Sequence, residues 1–120
     1  MIGIDLVEVE RVKKSQEFLQ KVALQSEIDY IFKSNCETLR NQRIAALFCV
    51  KEAVLKALGT GVSEGISLKE IELKHLESGK PYVEIKGKAL EKFNQFYSGK
   101  TIEISLSHTK NYSTAIALII

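Results

Sequence analysis

Proline occurs once in this chain and cysteine only twice, with no CxxC pair. Cys36 and Cys49 lie thirteen residues apart, a spacing that suits neither a disulfide framework nor a zinc site. They read as two reduced thiols in a cytosolic protein. An excess of charge of one sign is also missing. The formal net charge of +2 is too small to suggest nucleic acid, so any basic surface must be a local patch. No GxSxG elbow is present, which argues against a Ser–His hydrolase. The opening MIGIDLVEVERV has acidic residues by position 5 and no long apolar region, unlike a signal peptide. The closing nine residues, YSTAIALII, are too short to span a bilayer as a helix. The expectation is a soluble, cytoplasmic protein with no nucleic acid and no membrane as partner. Repeats, low-complexity tracts and linkers are absent as well.

What is present is ordinary for a folded protein: 45% apolar and 27% charged residues in a chain of 120. That length fits one domain, residues 1–120. MIGIDLV reads as a buried strand. Residues 8–22 repeat apolar side chains at roughly helical spacing, which predicts a helix carrying Arg11, Lys13, Lys14 and Lys21. A short helix is predicted over 27–32, with Ser34 and Asn35 available as caps for the next element. ETLRNQRIAALFCVKEAVLKALG has no proline inside and Gly59 as a stop, and predicts one long helix. SLKEIELKHL alternates as a strand with one wet face, turns at ESGKP and returns as PYVEIKG. KALEKFNQFYSG is a shorter amphipathic helix, and TIEISLSH and YSTAIALII are two strands joined by TKN. Strands joined by hairpins after a helix-rich first half make the class α+β.

Within the long helix, FCVKEAVLKALGTG places Glu52 and Lys56 on one face of an otherwise apolar stretch. The plain reading is a surface ion pair worth roughly 0.2–0.5 kcal/mol. Against it stand Phe48, Val50, Val54, Leu55 and Leu58, which leave little polar face, so these charges need partners such as a cation or a phosphate. Asp5 interrupts an apolar strand. It is either a carboxylate capping the following helix or a hard oxygen ligand matched to Mg²⁺. GTGVSEG fails as a dinucleotide loop because its glycines follow a helix. Gly61 and Gly65 serve a turn or a close backbone approach to a ligand. His108 sits at a strand end between Ser107 and Thr109, a group of donors suited to a phosphate or a carbonyl. His75 reads as a histidine without a role. The basic residues near the first helix, with Arg40 and Arg43 on the long one, form a solvated face or a patch for an acidic protein.

Taken together, IGIDLVEVERV, FCVKEAVLKALGTG, the GKP turn and SLSHTKNYSTAIA resemble the holo-[acyl-carrier-protein] synthases, small single-domain phosphopantetheinyl transferases of bacterial lipid synthesis. The match runs in order over the whole chain. The resemblance implies a 4′-phosphopantetheinyl transferase fold, an antiparallel sheet packed with a long central helix. It implies transfer of 4′-phosphopantetheine from coenzyme A to a serine of apo acyl carrier protein, in fatty acid biosynthesis, releasing adenosine 3′,5′-bisphosphate. By motif, Asp5 and Glu52 would hold Mg²⁺, and Lys56 would stabilise or protonate the leaving phosphate. Lys56, Gly59, Gly61, Pro81, Ser107, His108 and Thr109 would contact coenzyme A. Arg11 and Lys14 would dock the acidic carrier, and trimers would place the active site between subunits. The general base is left between Glu52 and a metal-bound water, with Asp29 or Glu27 able to orient that water. Leu47 stands where the family usually has an arginine, for which Arg43 or Lys51 could substitute, and the family's usual threonine is absent from ALQSE. Two rivals remain: a non-catalytic phosphate-binding module, and an oligomer-forming structural piece.

Overall fold

The computed structural model describes residues 1–60 and 65–120. The chain begins with β1 (Ile2–Glu8), a 3-10 turn (Val9–Arg11), α1 (Gln16–Val22), α2 (Gln25–Ile31) and α3 (Glu37–Leu58). A further 3-10 turn (Leu68–Glu70) leads into β2 (Ile71–His75) and β3 (Pro81–Ile85). It ends with α4 (Gly87–Tyr97), β4 (Ile102–His108) and β5 (Tyr112–Ile119). The class is α+β. The strands divide into an antiparallel sheet of order β1-β5-β4 and a separate β2-β3 hairpin.

Helix α3 stops where the sequence placed its end, with Gly59 in the left-handed region at φ 77°. From Ile44 onward it is buried on nearly every side, against β1 and β5 on one flank and α2, β2 and α4 on others. Strand β1 approaches it so closely that a Cβ on Gly3 would overlap the Ala53 carbonyl oxygen and the Ala57 amide nitrogen.

Three local expectations need correction. Residues 8–22 do not form one helix. The Val9 N–H donates to the Asn111 carbonyl at 2.8 Å, tying the chain back to the sheet. Helix α1 then starts late, where the Ser15 hydroxyl caps the Phe18 N–H. Arg11 therefore lies on the 3-10 turn, Lys13 and Lys14 lie between it and α1, and Lys21 is on α1 itself. Strand β1 is not buried on both faces. Ile2, Ile4 and Leu6 are 61%, 62% and 66% exposed, while Gly3 faces α3. The wet face expected of β2 is partly dry, because Glu72 is buried and accepts bonds from Ser26 and Lys86.

Gly3→Ala is expected to destabilise the protein by at least about 1–3 kcal/mol, because backbone atoms cannot move aside as a flexible side chain would. A denaturant midpoint unchanged from the wild type would contradict the close crossing of β1 and α3.

Candidate active site

Two residues beyond Gly3, Asp5 also faces α3, and this brings Asp5, Glu52 and Lys56 together. The Lys56 ammonium donates to Asp5 Oδ1 and to the Ile4 carbonyl, each at 3.0 Å. The other Asp5 oxygen, Oδ2, is buried with no hydrogen-bond partner. The strand backbone here is held by the Thr114 hydroxyl, which donates to the Asp5 carbonyl at 2.9 Å, and by the Cys49 thiol at 3.3 Å. Burial, followed by the negative charge of Asp5, pushes the Glu52 carboxyl above the usual carboxylate range, and Lys56 partly offsets this. Two carboxylates from different elements thus lie close enough for one to raise the proton affinity of the other, and Asp5 has a buried oxygen without a hydrogen-bond partner. That is a poor arrangement for an empty protein interior and a good one for a cation. Burial, reinforced by Asp5, pushes the Cys49 thiol up to about 12, so it is no nucleophile.

Among the described residues no group of three or more His, Cys, Asp or Glu could enclose a metal. The pair therefore does not fit a closed zinc site. It fits Mg²⁺, which takes one or two carboxylates and completes its shell with water and substrate phosphate.

A second cluster lies at the other edge of the sheet. His108 lines a cavity of about 190 Å³ with Tyr30, Arg43, Leu47 and His75. His75 is not the idle histidine the sequence suggested: it stacks on Tyr30 at 4.2 Å. The Arg43 guanidinium covers the Tyr30 ring at 4.4 Å, and donates to the Tyr30 carbonyl. Burial, then the nearby Arg43 charge, lowers the affinity of His75 for a proton. The register sets Asp5 beside Ala115 and His108 beside Ser113. His108 thus shares the helix-facing side of the sheet with Asp5, but two strands away, roughly 10 Å across. Ser107, opposite Thr114, faces the other side. The Thr109 hydroxyl accepts from the Asn111 and Tyr112 N–H groups and so shapes the turn. Pro81 opens β3 opposite His75, Gly59 caps α3, and Gly61 lies outside the described residues. Of the expected coenzyme A residues that are described, Lys56 meets Asp5 directly, whereas Pro81 and His108 lie away from it on β3 and β4.

The family model of the 4′-phosphopantetheinyl transferase superfamily matches residues 1–117. The chain belongs to that superfamily. It is 41% identical to the holo-[acyl-carrier-protein] synthase of Thermoanaerobacter sp. (strain X514), over 99% of this chain and 86% of that one. To the holo-[acyl-carrier-protein] synthase of Clostridium tetani it is 38% identical, over 98% of this chain and 93% of the other. The crystal structure of Helicobacter pylori holo-[acyl-carrier-protein] synthase in complex with coenzyme A is similar over 100% of both chains, with a TM-score of 0.82 and 26% identity.

For this phosphopantetheinyl transferase the geometry narrows choices that the sequence left open. Lys51 cannot replace the arginine missing at Leu47, because its ammonium is buried and donates to Glu27, the Leu68 carbonyl and the Ile71 carbonyl. Arg43 lines the cavity beside Leu47 and His108. Glu27 cannot orient a catalytic water either. Its two oxygens accept from Lys51, from the Leu24 N–H and from the Leu73 N–H. Asp29 accepts from Gln25 on the exposed side of α2. The signal missed in the sequence was the pairing of Tyr30 with His75, which are far apart in the chain and meet only through tertiary packing.

Glu52→Gln keeps the side-chain volume and removes the charge. The variant should fold normally and bind Mn²⁺, used as a probe for magnesium, at least roughly tenfold more weakly. Titration calorimetry without substrates reads this directly, and wild-type affinity would remove Glu52 from the metal site.

Proposed function

We propose that this chain transfers 4′-phosphopantetheine from coenzyme A to a serine of apo acyl carrier protein, releasing adenosine 3′,5′-bisphosphate. The observation that carries the reading is the buried Oδ2 of Asp5, without a hydrogen-bond partner, on a carboxylate whose charge reaches Glu52, with Lys56 at the rim. When bound between those carboxylates, Mg²⁺ would neutralise pyrophosphate charge. The serine oxygen forms a bond to the phosphorus of the phosphopantetheine end as the bond to the bisphosphate oxygen breaks. Lys56, whose side chain is 54% exposed and reachable from solvent, exchanges its bond to Asp5 for one to the leaving phosphate oxygen, where charge develops. Its ammonium can also supply the proton that oxygen needs. Of the side chains weighed for the base, Glu52 is the one beside Asp5, and a metal-bound water is the other candidate. The nucleophile belongs to the carrier, in keeping with the inert Cys49.

We also infer that the active form is a homotrimer in the cytoplasm. The face of the sheet turned away from α3 exposes Ile2, Ile4 and Leu6 beside Ile116, Leu118 and Tyr112. A contiguous apolar patch of this kind favours burial against copies of itself. Assembly between subunits also supplies what one chain lacks, a way to set the His108 and Arg43 cluster against the Asp5 site of a neighbour. No described helix is long and apolar enough to cross a membrane. Carrier docking falls to the exposed, basic entrance beside β1. Arg11 there is paired with Glu8 at 2.8 Å. With Lys13 it borders a groove whose apolar walls include Leu6, Phe18 and Phe48. Lys14 lies on the adjoining segment between the 3-10 turn and α1. Arg40 donates to the Ser34 and Asn35 carbonyls.

Incubation with apo carrier, coenzyme A and Mg²⁺, followed by weighing the carrier, tests the reading. A mass gain of one phosphopantetheine group is expected, and none would leave a binding module or a structural piece. In the same assay Ile4→Glu should sediment as a monomer and lose transfer, whereas Arg11→Glu should raise the KM for the carrier alone. A fully active Ile4→Glu monomer would overturn the shared site.

A further inference from the structure

Helix α3 is buried over most of its surface from Ile44 to Leu58, mainly by small and aliphatic residues. Its one less buried stripe, Phe48, Glu52 and Lys56, sets the rotation only coarsely, because apolar packing is not directional. The crossing at Gly3 lies over Ala53, Lys56 and Ala57, so it fixes how near β1 comes to α3 and seats one flank of the helix. A slip by one residue would rotate the side chains by about 100° and carry Glu52 and Lys56 away from Asp5.

One position on the buried part of α3 makes directional bonds to three other segments. The Lys51 ammonium, with no exposed surface, donates to Glu27 Oε1 at 2.9 Å on α2. It also donates to the Leu68 carbonyl at 2.9 Å and the Ile71 carbonyl at 2.7 Å. Glu27 is fixed in turn, accepting from the Leu24 N–H at 2.8 Å and the Leu73 N–H at 2.7 Å. The Lys51–Glu27 pair thus links α2, α3, the 3-10 turn at Leu68 and strand β2. A buried ion pair contributes little net stability over apolar side chains of the same volume, because both charges lose their hydration. Its directional demand is strong, since each displaced bond leaves a charge unsatisfied in the core. Lys51 immediately precedes Glu52 and lies five residues before Lys56.

We propose that Lys51, locked by Glu27, is a positioning residue that sets the rotation and axial register of α3, and thereby holds Glu52 and Lys56 opposite Asp5. Lys51 acts through the helix and touches no substrate. The inference rests on the transferase reading for its kinetic readout alone.

The test uses the whole protein in two variants, Glu27→Asp, which draws the carboxylate back while keeping the charges, and Lys51→Met with Glu27→Gln, which removes them at similar volume. Both should unfold cooperatively. Mn²⁺ binding without substrates should weaken roughly tenfold and kcat should fall roughly 10–100-fold, with the KM for coenzyme A little changed. Wild-type Mn²⁺ affinity and kcat in either folded variant would overturn the proposal. Loss of cooperative folding in both would overturn it too, because the pair would then hold the fold rather than the register. A wild-type protein that binds Mn²⁺ but transfers nothing would instead refute the transferase reading, and the affinity would still decide the role of Lys51.

Discussion

The approach of β1 to the backbone of α3 at Gly3 is the constraint on which the rest depends. Only a residue without a side chain lets an edge strand lie this close to a helix. From that contact, strand alternation carries Asp5 to the helix side two residues later, where it meets Lys56 and lies near Glu52. The same alternation turns Ile2, Ile4 and Leu6 outward into an exposed apolar row. One strand thereby builds the carboxylate pair on one face and the proposed subunit contact on the other. A substitution that disturbs its seating must affect both.

The charged groups of the core divide into two kinds. Lys51 and Glu27 are satisfied, each by several bonds, and Glu72 is paired with Lys86 and Ser26, which hold its carboxyl below the usual range. Asp5 and Glu52 are not satisfied in this way. Asp5 leaves a buried oxygen bare, and Glu52 is driven toward its protonated form by burial and by Asp5. A fold that closes its other charged networks so completely has left this one open, at the point where a cation and a phosphate would complete it.

Much of this was legible in the sequence. Helix α3 and its glycine stop, the β2–β3 hairpin and the last two strands follow from periodicity and turn residues. The pairing of Asp5 with the Glu52–Lys56 face was implied by the family resemblance. What stayed hidden depends on contacts between distant residues. The Val9 tie to Asn111 shortens the first helix. The outward face of β1 looks the same in sequence as a buried one. The fate of Lys51, one of two candidates to replace the arginine missing at Leu47, was decided by Glu27, twenty-four residues earlier. His75 became part of a cluster only through Tyr30 and Arg43.

The central claim is that Asp5 and Glu52 share one divalent cation. Anomalous diffraction from crystals of the protein soaked in Mn²⁺ tests it most directly. The account predicts a single strong peak within bonding distance of Asp5 Oδ2 and the Glu52 carboxylate, with the Lys56 ammonium displaced from Asp5. A soaked crystal with no peak between those two carboxylates, or with Lys56 still bonded to Asp5 and the manganese bound elsewhere, would contradict it.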